Sequence, residues 1–238
     1  MLLRHLFTRR ASTASHAAPW FWDSFSLPFS PSFGVRVIAD FLTEGEEAAL
    51  SSECDTFLRR LDYESGHWDG VISNYKEVQR DVRSPSLSAA SQAVLLRAQA
   101  AFPAGARNGG APLPFFHALE LAEGGSISAH VDSVKFSGGV VAGLCLLSDA
   151  VMVLTPDTDG PRPSAPAAPE VRLFLPRRCF YTLTDEARYA WAHAVPAGAA
   201  ATFRGAAVKR GRRLSIMLRD ALEAAHSDAR TQSIVSKY

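Results

Sequence analysis

Residues 126–132 read Ser-Ile-Ser-Ala-His-Val-Asp, and the interpretation of the whole chain starts from this stretch. Polar and apolar residues alternate along it, which predicts a β-strand. Side chains two positions apart on a strand point to the same face, so His130 and Asp132 can contact one ion. A second histidine, His193, lies in another predicted strand. Two imidazoles and one carboxylate leave open positions on a metal, which is the arrangement of non-haem Fe(II) oxygenases. We therefore predict an iron site.

The same His-x-Asp pattern occurs a second time, as His67-Trp68-Asp69. No alternating stretch surrounds this copy, and Gly66 and Gly70 flank it. We interpret it as a loop that packs Trp68, and a metal-binding role for it is the alternative. The prediction for iron rests on His130, Asp132 and His193.

Residues 213–219 read Arg-Leu-Ser-Ile-Met-Leu-Arg and predict a strand with one polar face. Four residues share that face: Arg213, Ser215, Met217 and Arg219. A guanidinium group pairs with a carboxylate through two parallel hydrogen bonds, so the arginines predict an anchor for the acidic co-substrate 2-oxoglutarate. Tyr181 is a candidate hydroxyl donor to the same carboxylate, and a core tyrosine is the alternative. Exposed arginines at the protein surface are the alternative for Arg213 and Arg219.

The pattern along the chain predicts a mostly β fold with flanking helices. Thr43 and Glu46 predict a capping box at the start of one helix, and Ser84-Pro85 predicts the start of a second. Short β-type segments then follow at residues 115–121, 126–132, 140–147, 150–154, 171–175, 178–183, 189–195, 200–204 and 213–219. Strands at this spacing are typical of a sandwich or barrel. We predict a double-stranded β-helix (jelly roll) with the two N-terminal helices packed on one sheet.

Composition is that of one globular domain, which we expect over residues 35–220, after a linker at 23–34 and before a polar tail at 221–238. Of the 238 residues, 47% are hydrophobic and 21% are charged, and the net charge is +1. That charge weighs against a nucleic-acid-binding surface. The three cysteines are isolated, which indicates a reducing compartment and no thiolate zinc site. No apolar stretch approaches the ~20 residues of a membrane helix. We also expect the protein to be a monomer.

Residues 1–22 differ from the rest of the chain because they contain no acidic residue. Arg4, Arg9 and Arg10 alternate with apolar residues, and serines and a threonine follow. This is the pattern of a mitochondrial transit peptide, and a basic tail is the alternative. We expect the mature protein in the mitochondrial matrix.

The residues quoted above resemble the AlkB-homologue family of 2-oxoglutarate/Fe(II) dioxygenases, most closely a mitochondrial member linked to programmed necrosis and fatty-acid metabolism. The resemblance runs from about Val35 to Asp220 and is densest at residues 63–77, 130–136, 142–148 and 210–215. It implies a double-stranded β-helix, and it implies Fe(II), 2-oxoglutarate and O2 as cofactor and co-substrates. The implied iron ligands are His130, Asp132 and His193. The residues implied to bind 2-oxoglutarate are Arg213, Arg219, Tyr181 and Ser215.

The departures from the family pattern concern the substrate. Relatives that repair nucleic acids usually carry a tyrosine where this chain has Leu121, and often an asparagine where it has Ser215. They also insert basic hairpins with aromatic residues that hold a flipped base. The stretch between Trp68 and Pro114 offers one predicted helix, a Gly/Ala/Pro linker and no stacking aromatic beyond Tyr75. We therefore expect hydroxylation of a protein substrate. Oxidative demethylation of mitochondrial tRNA and a non-catalytic partner-binding module are the alternatives.

Overall fold

The computed structural model describes residues 22–23, 33–66, 70–158 and 170–222. Several predictions concern residues outside these ranges: the leader up to residue 21, the His67-Trp68-Asp69 copy, and the tail after Leu222. Within the described ranges, no helix is long and apolar enough to cross a membrane.

The described residues form thirteen strands and three helices. The helices are α1 (Glu44–Leu58), α2 (Ala89–Ala100) and α3 (Asp185–Tyr189). The strands are β1 (Trp22–Asp23), β2 (Val35–Ile38), β3 (Ile72–Asp81), β4 (Gly109–Pro112), β5 (Phe115–His130), β6 (Val141–Leu146), β7 (Ala150–Pro156), β8 (Val171–Leu175), β9 (Phe180–Leu183), β10 (Trp191–Val195), β11 (Thr202–Phe203), β12 (Ala206–Ala207) and β13 (Arg213–Leu222).

The predicted capping box begins α1. The Thr43 hydroxyl accepts a hydrogen bond from the Glu46 amide at 3.2 Å, and the Glu46 carboxylate accepts one from the Thr43 amide at 2.9 Å. The predicted start of the second helix was wrong. Residues 84–87 form a hydrogen-bonded turn, and α2 begins only at Ala89, because the hydroxyl of Ser88 caps it by accepting from Ser91.

Eleven strands form one antiparallel sheet in the order β1-β8-β7-β10-β5-β13-β6-β9-β2, with β3 added on β5 and β4 on β13. The sixteen-residue β5 connects the two halves. Its first part pairs with β13 and β3, and its end pairs with β10. Side chains of both halves, such as Met152 and Leu173 from one and Cys145 and Leu183 from the other, meet in one buried cluster. The sheet therefore folds over itself, and the predicted jelly roll is confirmed.

A second buried cluster joins the helices to the outer face of the sheet. Leu50, Cys54 and Leu95 of the helices pack against apolar residues of β6 and β13, including Leu144 and Ile216. The apolar face predicted for residues 213–219 is thus turned toward the helices, and the face with the arginines is turned toward the interior of the jelly roll. The prediction that both helices pack on one sheet is confirmed.

Three strand predictions needed correction. Residues 115–121 and 126–132 belong to one strand, β5, which ends at His130. Residues 185–189 form α3, so the strand that carries His193 begins only at Trp191. In the segment 200–204, only Thr202–Phe203 is strand, and it pairs with β12 in a separate two-stranded sheet.

Candidate active site

Two neighbouring strands bring the predicted histidine ligands together. His193 of β10 lies directly opposite His130 of β5, and the two imidazole centroids are 4.3 Å apart. Asp132 follows the end of β5, so its position comes from the loop rather than from the strand geometry that we predicted. Its Oδ1 atom lies 3.2 Å from His130 Nε2 and 3.7 Å from His193 Nε2. The three possible ligand atoms lie within 4.8 Å of one another, so one ion can contact all three.

Hydrogen bonds orient two of these side chains toward a common point. His130 Nδ1 lies 2.9 Å from the carbonyl of Ser128. Because a carbonyl only accepts, Nδ1 carries a proton, and Nε2, which faces Asp132, is the nitrogen that would contact a metal. Arg219 donates from Nε to Asp132 Oδ2 at 2.7 Å, and its Nη2 atom forms an ion pair with the same oxygen at 2.7 Å. Oδ1 of Asp132 then remains available beside the imidazoles.

The electrostatics of this cluster favour the metal-binding forms of Asp132 and His193. Burial alone would lower the pKa of His130, but hydrogen bonds to Asp132 and to the Ser128 carbonyl outweigh it and raise that pKa. Burial alone would raise the pKa of Asp132, but the charge of Arg219 and a hydrogen bond from His130 hold that pKa well below its usual value. Burial, followed by the charge of His130, lowers the pKa of His193 to about 3. Asp132 is therefore ionised and His193 is neutral near pH 7. One carboxylate and two nitrogen donors fit Fe(II), and the donor set has the composition of the facial triad.

Arg213 lies in a second part of the site, on the interior face of β13. Its side chain is 1% exposed. Its Nε atom lies 3.4 Å from Cys145 Sγ, and its Nη2 atom lies 3.5 Å from Ser215 Oγ. No carboxylate of the described chain forms an ion pair with it. Because a buried cation without a carboxylate partner is costly, this pocket suits an anionic ligand.

The strand register explains how the residues around Arg213 meet. Ser215 of β13 is paired with Cys145 of β6, and Tyr181 of β9 is paired with Gly143 of β6. Burial alone would lower the pKa of Arg213, but its interactions with Cys145 and then Tyr181 raise it; Tyr181 is 5% exposed. The structure thus brings Arg213, Ser215 and Tyr181 together. Arg219 lies on the same face of β13 but contacts Asp132, next to the candidate metal ligands.

Sequence reasoning missed two residues of the site, Cys145 and Arg188. Cys145 was counted only as an isolated cysteine in an apolar strand, where a thiol that faces inward gives no signal. A hydrogen bond from Cys179 lowers the pKa of Cys145 to about 6, against the effect of burial and assisted by the charge of Arg213. Arg188 comes from α3, a helix of five residues that the sequence pattern did not predict.

A jelly roll with two histidines and a carboxylate at adjoining strand ends defines the class of 2-oxoglutarate/Fe(II) oxygenases. Solved structures of that class share the fold. OsALKBH1 matches with a TM-score of 0.51 at 17% identity, over 79% of this chain and 98% of that one. A prolyl hydroxylase from Trichoplax adhaerens, in complex with a hypoxia inducible factor peptide fragment, matches with a TM-score of 0.52 at 10% identity, over 87% and 89%.

The sequence comparisons are more specific. The chain is 37% identical over 179 residues to the bovine alpha-ketoglutarate-dependent dioxygenase alkB homolog 7, mitochondrial, with 75% of each chain covered. The mouse protein of the same name is 36% identical over 181 residues, again with 75% of each covered. The chain therefore belongs to the alkB homolog 7 family of alpha-ketoglutarate-dependent dioxygenases, as its sequence motifs predicted. No family model matches it.

Membership in this family confirms the predicted enzyme class, an oxidoreductase that depends on 2-oxoglutarate. It also confirms the predicted cofactor and co-substrates, which are Fe(II), 2-oxoglutarate and O2.

Proposed function

We propose that this protein is a mitochondrial-matrix dioxygenase that hydroxylates a protein substrate. The proposed Fe(II) ligands are His130, Asp132 and His193. The proposed residues around 2-oxoglutarate are Arg213, Arg219, Tyr181 and Ser215. The observation that carries the proposal is that three ligand atoms within 4.8 Å lie on the same interior face as a buried arginine without a carboxylate partner.

When bound, Fe(II) supplies the activation of O2, by which 2-oxoglutarate becomes succinate and CO2 while one oxygen atom enters a C–H bond of the substrate. The side chains of the protein prepare this chemistry. Arg219 turns Oδ1 of Asp132 toward the imidazoles, and the Ser128 carbonyl fixes the tautomer of His130. Arg213 offers a buried guanidinium group to a carboxylate, and a charge-assisted hydrogen bond is stronger in a buried site than in water.

A protein substrate is supported by what the described chain lacks around the site. Tyr75 was the one aromatic residue between Trp68 and Pro114 that we considered able to stack on a base. It is 3% exposed, and its hydroxyl donates to Glu64. Leu121, at the position of the tyrosine in nucleic-acid-repairing relatives, is fully buried. In the described part of residues 70–114, β3, α2 and β4 pack against the fold and form no hairpin that covers a flipped base.

The substrate class has a direct test. We expect no loss of methyl groups and no formaldehyde when the protein is incubated with Fe(II), ascorbate, 2-oxoglutarate and methylated mitochondrial tRNA. An enzyme that extrudes a base must offset a few kcal/mol of unstacking, and the described chain offers no exposed aromatic side chain for it between residues 70 and 114. Formaldehyde release in step with demethylation, absent in Asp132→Ala, would favour the tRNA alternative.

Turnover of the co-substrate distinguishes a hydroxylase from the non-catalytic partner-binding module. A hydroxylase releases succinate faster when a mitochondrial protein extract contains its substrate, and the Asp132→Ala variant loses that stimulation. A partner-binding module would bind the same extract in both forms without succinate release. The links to programmed necrosis and fatty-acid metabolism belong to the proposal as well, and they are supported by the family resemblance alone.

The proposed address rests on the leader and on relatives that are named mitochondrial. We expect a chain without residues 1–22 to remain in the cytosol, folded and able to bind metal, because the three candidate ligands lie far along the chain from the leader, which has the composition of a transit peptide. Fractionation of cells that express either chain, with circular dichroism of the purified proteins, measures both parts. Mitochondrial import of the shortened chain would contradict the prediction.

A further inference from the structure

Arg188 lies beside the candidate iron site and has no role in the chemistry described so far. Its side chain is 2% exposed. Nη1 donates to the backbone carbonyl of Asp132 at 2.9 Å, and Nη2 donates to the hydroxyl of Ser137 at 2.9 Å and toward the carbonyl of Ser133 at 3.5 Å. Nε has no hydrogen-bond partner. Within the described residues, Arg188 forms no ion pair with a carboxylate.

These contacts join the two segments that carry the candidate ligands. Arg188 is the next-to-last residue of α3, and the strand of His193 begins three residues later, at Trp191. The acceptors of Arg188 lie in the loop that follows His130 and contains Asp132. The neighbouring Tyr189 donates to the carbonyl of Gly138, at the far end of that loop, at 3.2 Å. The short helix α3 therefore holds both ends of this loop next to His193.

The other contacts of the loop hold its C-terminal end rather than Asp132: the Gly138 amide donates to the Asp220 carbonyl, and the amides of Gly139 and Val140 donate to the Asp220 carboxylate. Val134 and Phe136, at its tip, are 50% and 54% exposed, so packing in the core does not hold this part of the loop. Asp132 itself lies outside β5 and makes no strand pairing. Its main chain is held by Arg188 and its carboxylate by Arg219, which leaves Oδ1 at a defined distance from both imidazoles.

Two effects of Arg188 on a bound cation have opposite signs. Its positive charge repels a divalent ion, so removing the charge alone would tighten metal binding. Its hydrogen bonds hold Asp132 where the ion needs it, and removing them would weaken metal binding. Partners of metal ligands that are lost by mutation typically cost roughly 10- to 100-fold in metal affinity. The two effects can be distinguished because they predict opposite shifts.

We propose that Arg188 is a positioning residue that clamps the loop of Asp132 to the segment of His193 and thereby sets the geometry of the iron site. The proposal rests on the iron site proposed above.

The test is Mn(II) binding to the purified protein, followed by electron paramagnetic resonance. Arg188→Met is expected to bind Mn(II) roughly 10- to 100-fold more weakly than the wild type. The absorption spectrum of the Co(II)-loaded variant at saturation is expected to differ from that of the wild type, because the ligand geometry changes. Arg188→Lys keeps the positive charge but lacks the several donors of a guanidinium group. Its Mn(II) affinity is expected to lie between those of the wild type and Arg188→Met.

Arg210→Met is the matched control. Arg210 is 6% exposed, and it also leaves Nε without a partner and donates to backbone carbonyls, those of Ala122, Glu123 and Gly125. None of these three residues is a candidate metal ligand. Whatever this variant does to the melting temperature, its Mn(II) affinity is expected to match that of the wild type.

The outcomes separate this proposal from the iron site itself. A wild-type protein that binds no Mn(II) would overturn both. Wild-type binding together with equal or tighter binding by Arg188→Met would overturn only the clamp. If Arg188→Met does not fold, Ser137→Ala decides, because it removes one acceptor of the clamp and no charge. That variant is expected to bind Mn(II) about 2- to 10-fold more weakly, and unchanged affinity would overturn the clamp.

Discussion

Replacement of His130, Asp132 or His193 by alanine is expected to abolish stoichiometric Fe(II) binding and, with it, the oxidation of 2-oxoglutarate. Within the part of the chain that the structure describes, these three side chains are the group that can hold a metal, so the loss of one leaves two donors. Anaerobic titration with Fe(II), followed by metal analysis after gel filtration, measures the stoichiometry. Succinate formation measures the catalytic consequence.

Two other histidines provide controls for this result. His117→Ala removes an imidazole that is 2.6 Å from Glu77 on a different part of the sheet, and it is expected to leave Fe(II) binding intact. His67→Ala tests the second His-x-Asp copy and is expected to do the same. Loss of metal in the His67 variant, with full occupancy in the His130 variant, would show that the wrong copy was assigned to the site.

Replacement of Arg213 by lysine is expected to weaken 2-oxoglutarate binding by roughly ten- to a hundredfold and to leave metal binding intact. A lysine is a point donor that cannot form the two parallel hydrogen bonds of a guanidinium group. The loss of one charge-assisted hydrogen bond is worth about 1.5–3 kcal/mol, which gives that range. Calorimetric titration of the Mn(II)-loaded protein with 2-oxoglutarate, without O2, measures the affinity.

Arg212→Lys is the matched control, because Arg212 is adjacent to Arg213 in the chain but its side chain points in the opposite direction. Arg212 forms ion pairs with Asp55 and Glu120 on the side of α1, whereas Arg213 faces the interior. The control is expected to keep the 2-oxoglutarate affinity of the wild type. Equal affinities in the Arg213 variant and the wild type would remove Arg213 from the co-substrate pocket.

The site was predictable where chemistry and strand periodicity coincide. His130 and Arg213 lie on polar faces of alternating strands; alternation identified the residues that share a face, and the predicted metal and carboxylate chemistry pointed to that face as the interior one. Asp132 was found for a partly wrong reason. It lies beyond the end of β5, and Arg188 and Arg219 hold it rather than the pleat of a strand.

The unpredicted parts of the fold depend on contacts distant in sequence. The strand β3 reads Ile-Ser-Asn-Tyr-Lys-Glu-Val-Gln-Arg-Asp, in which charges and amides obscure an apolar face, and it becomes a strand by pairing with β5. The strand β4 has the sequence Gly-Gly-Ala-Pro, which favours a turn, and it is held on β13 by Asp220 and the backbone. Arg188 was missed because its acceptors lie about fifty residues earlier in the chain.

The central claim is that metal and 2-oxoglutarate occupy one shared site, and the most direct measurement compares the 2-oxoglutarate affinity of the wild-type protein with and without Mn(II). If both ligands contact the same centre, each must change the affinity for the other by the same factor. We predict that saturating Mn(II) tightens 2-oxoglutarate binding and that 2-oxoglutarate tightens Mn(II) binding equally. An affinity for 2-oxoglutarate that is the same in the presence and absence of metal would contradict the shared site.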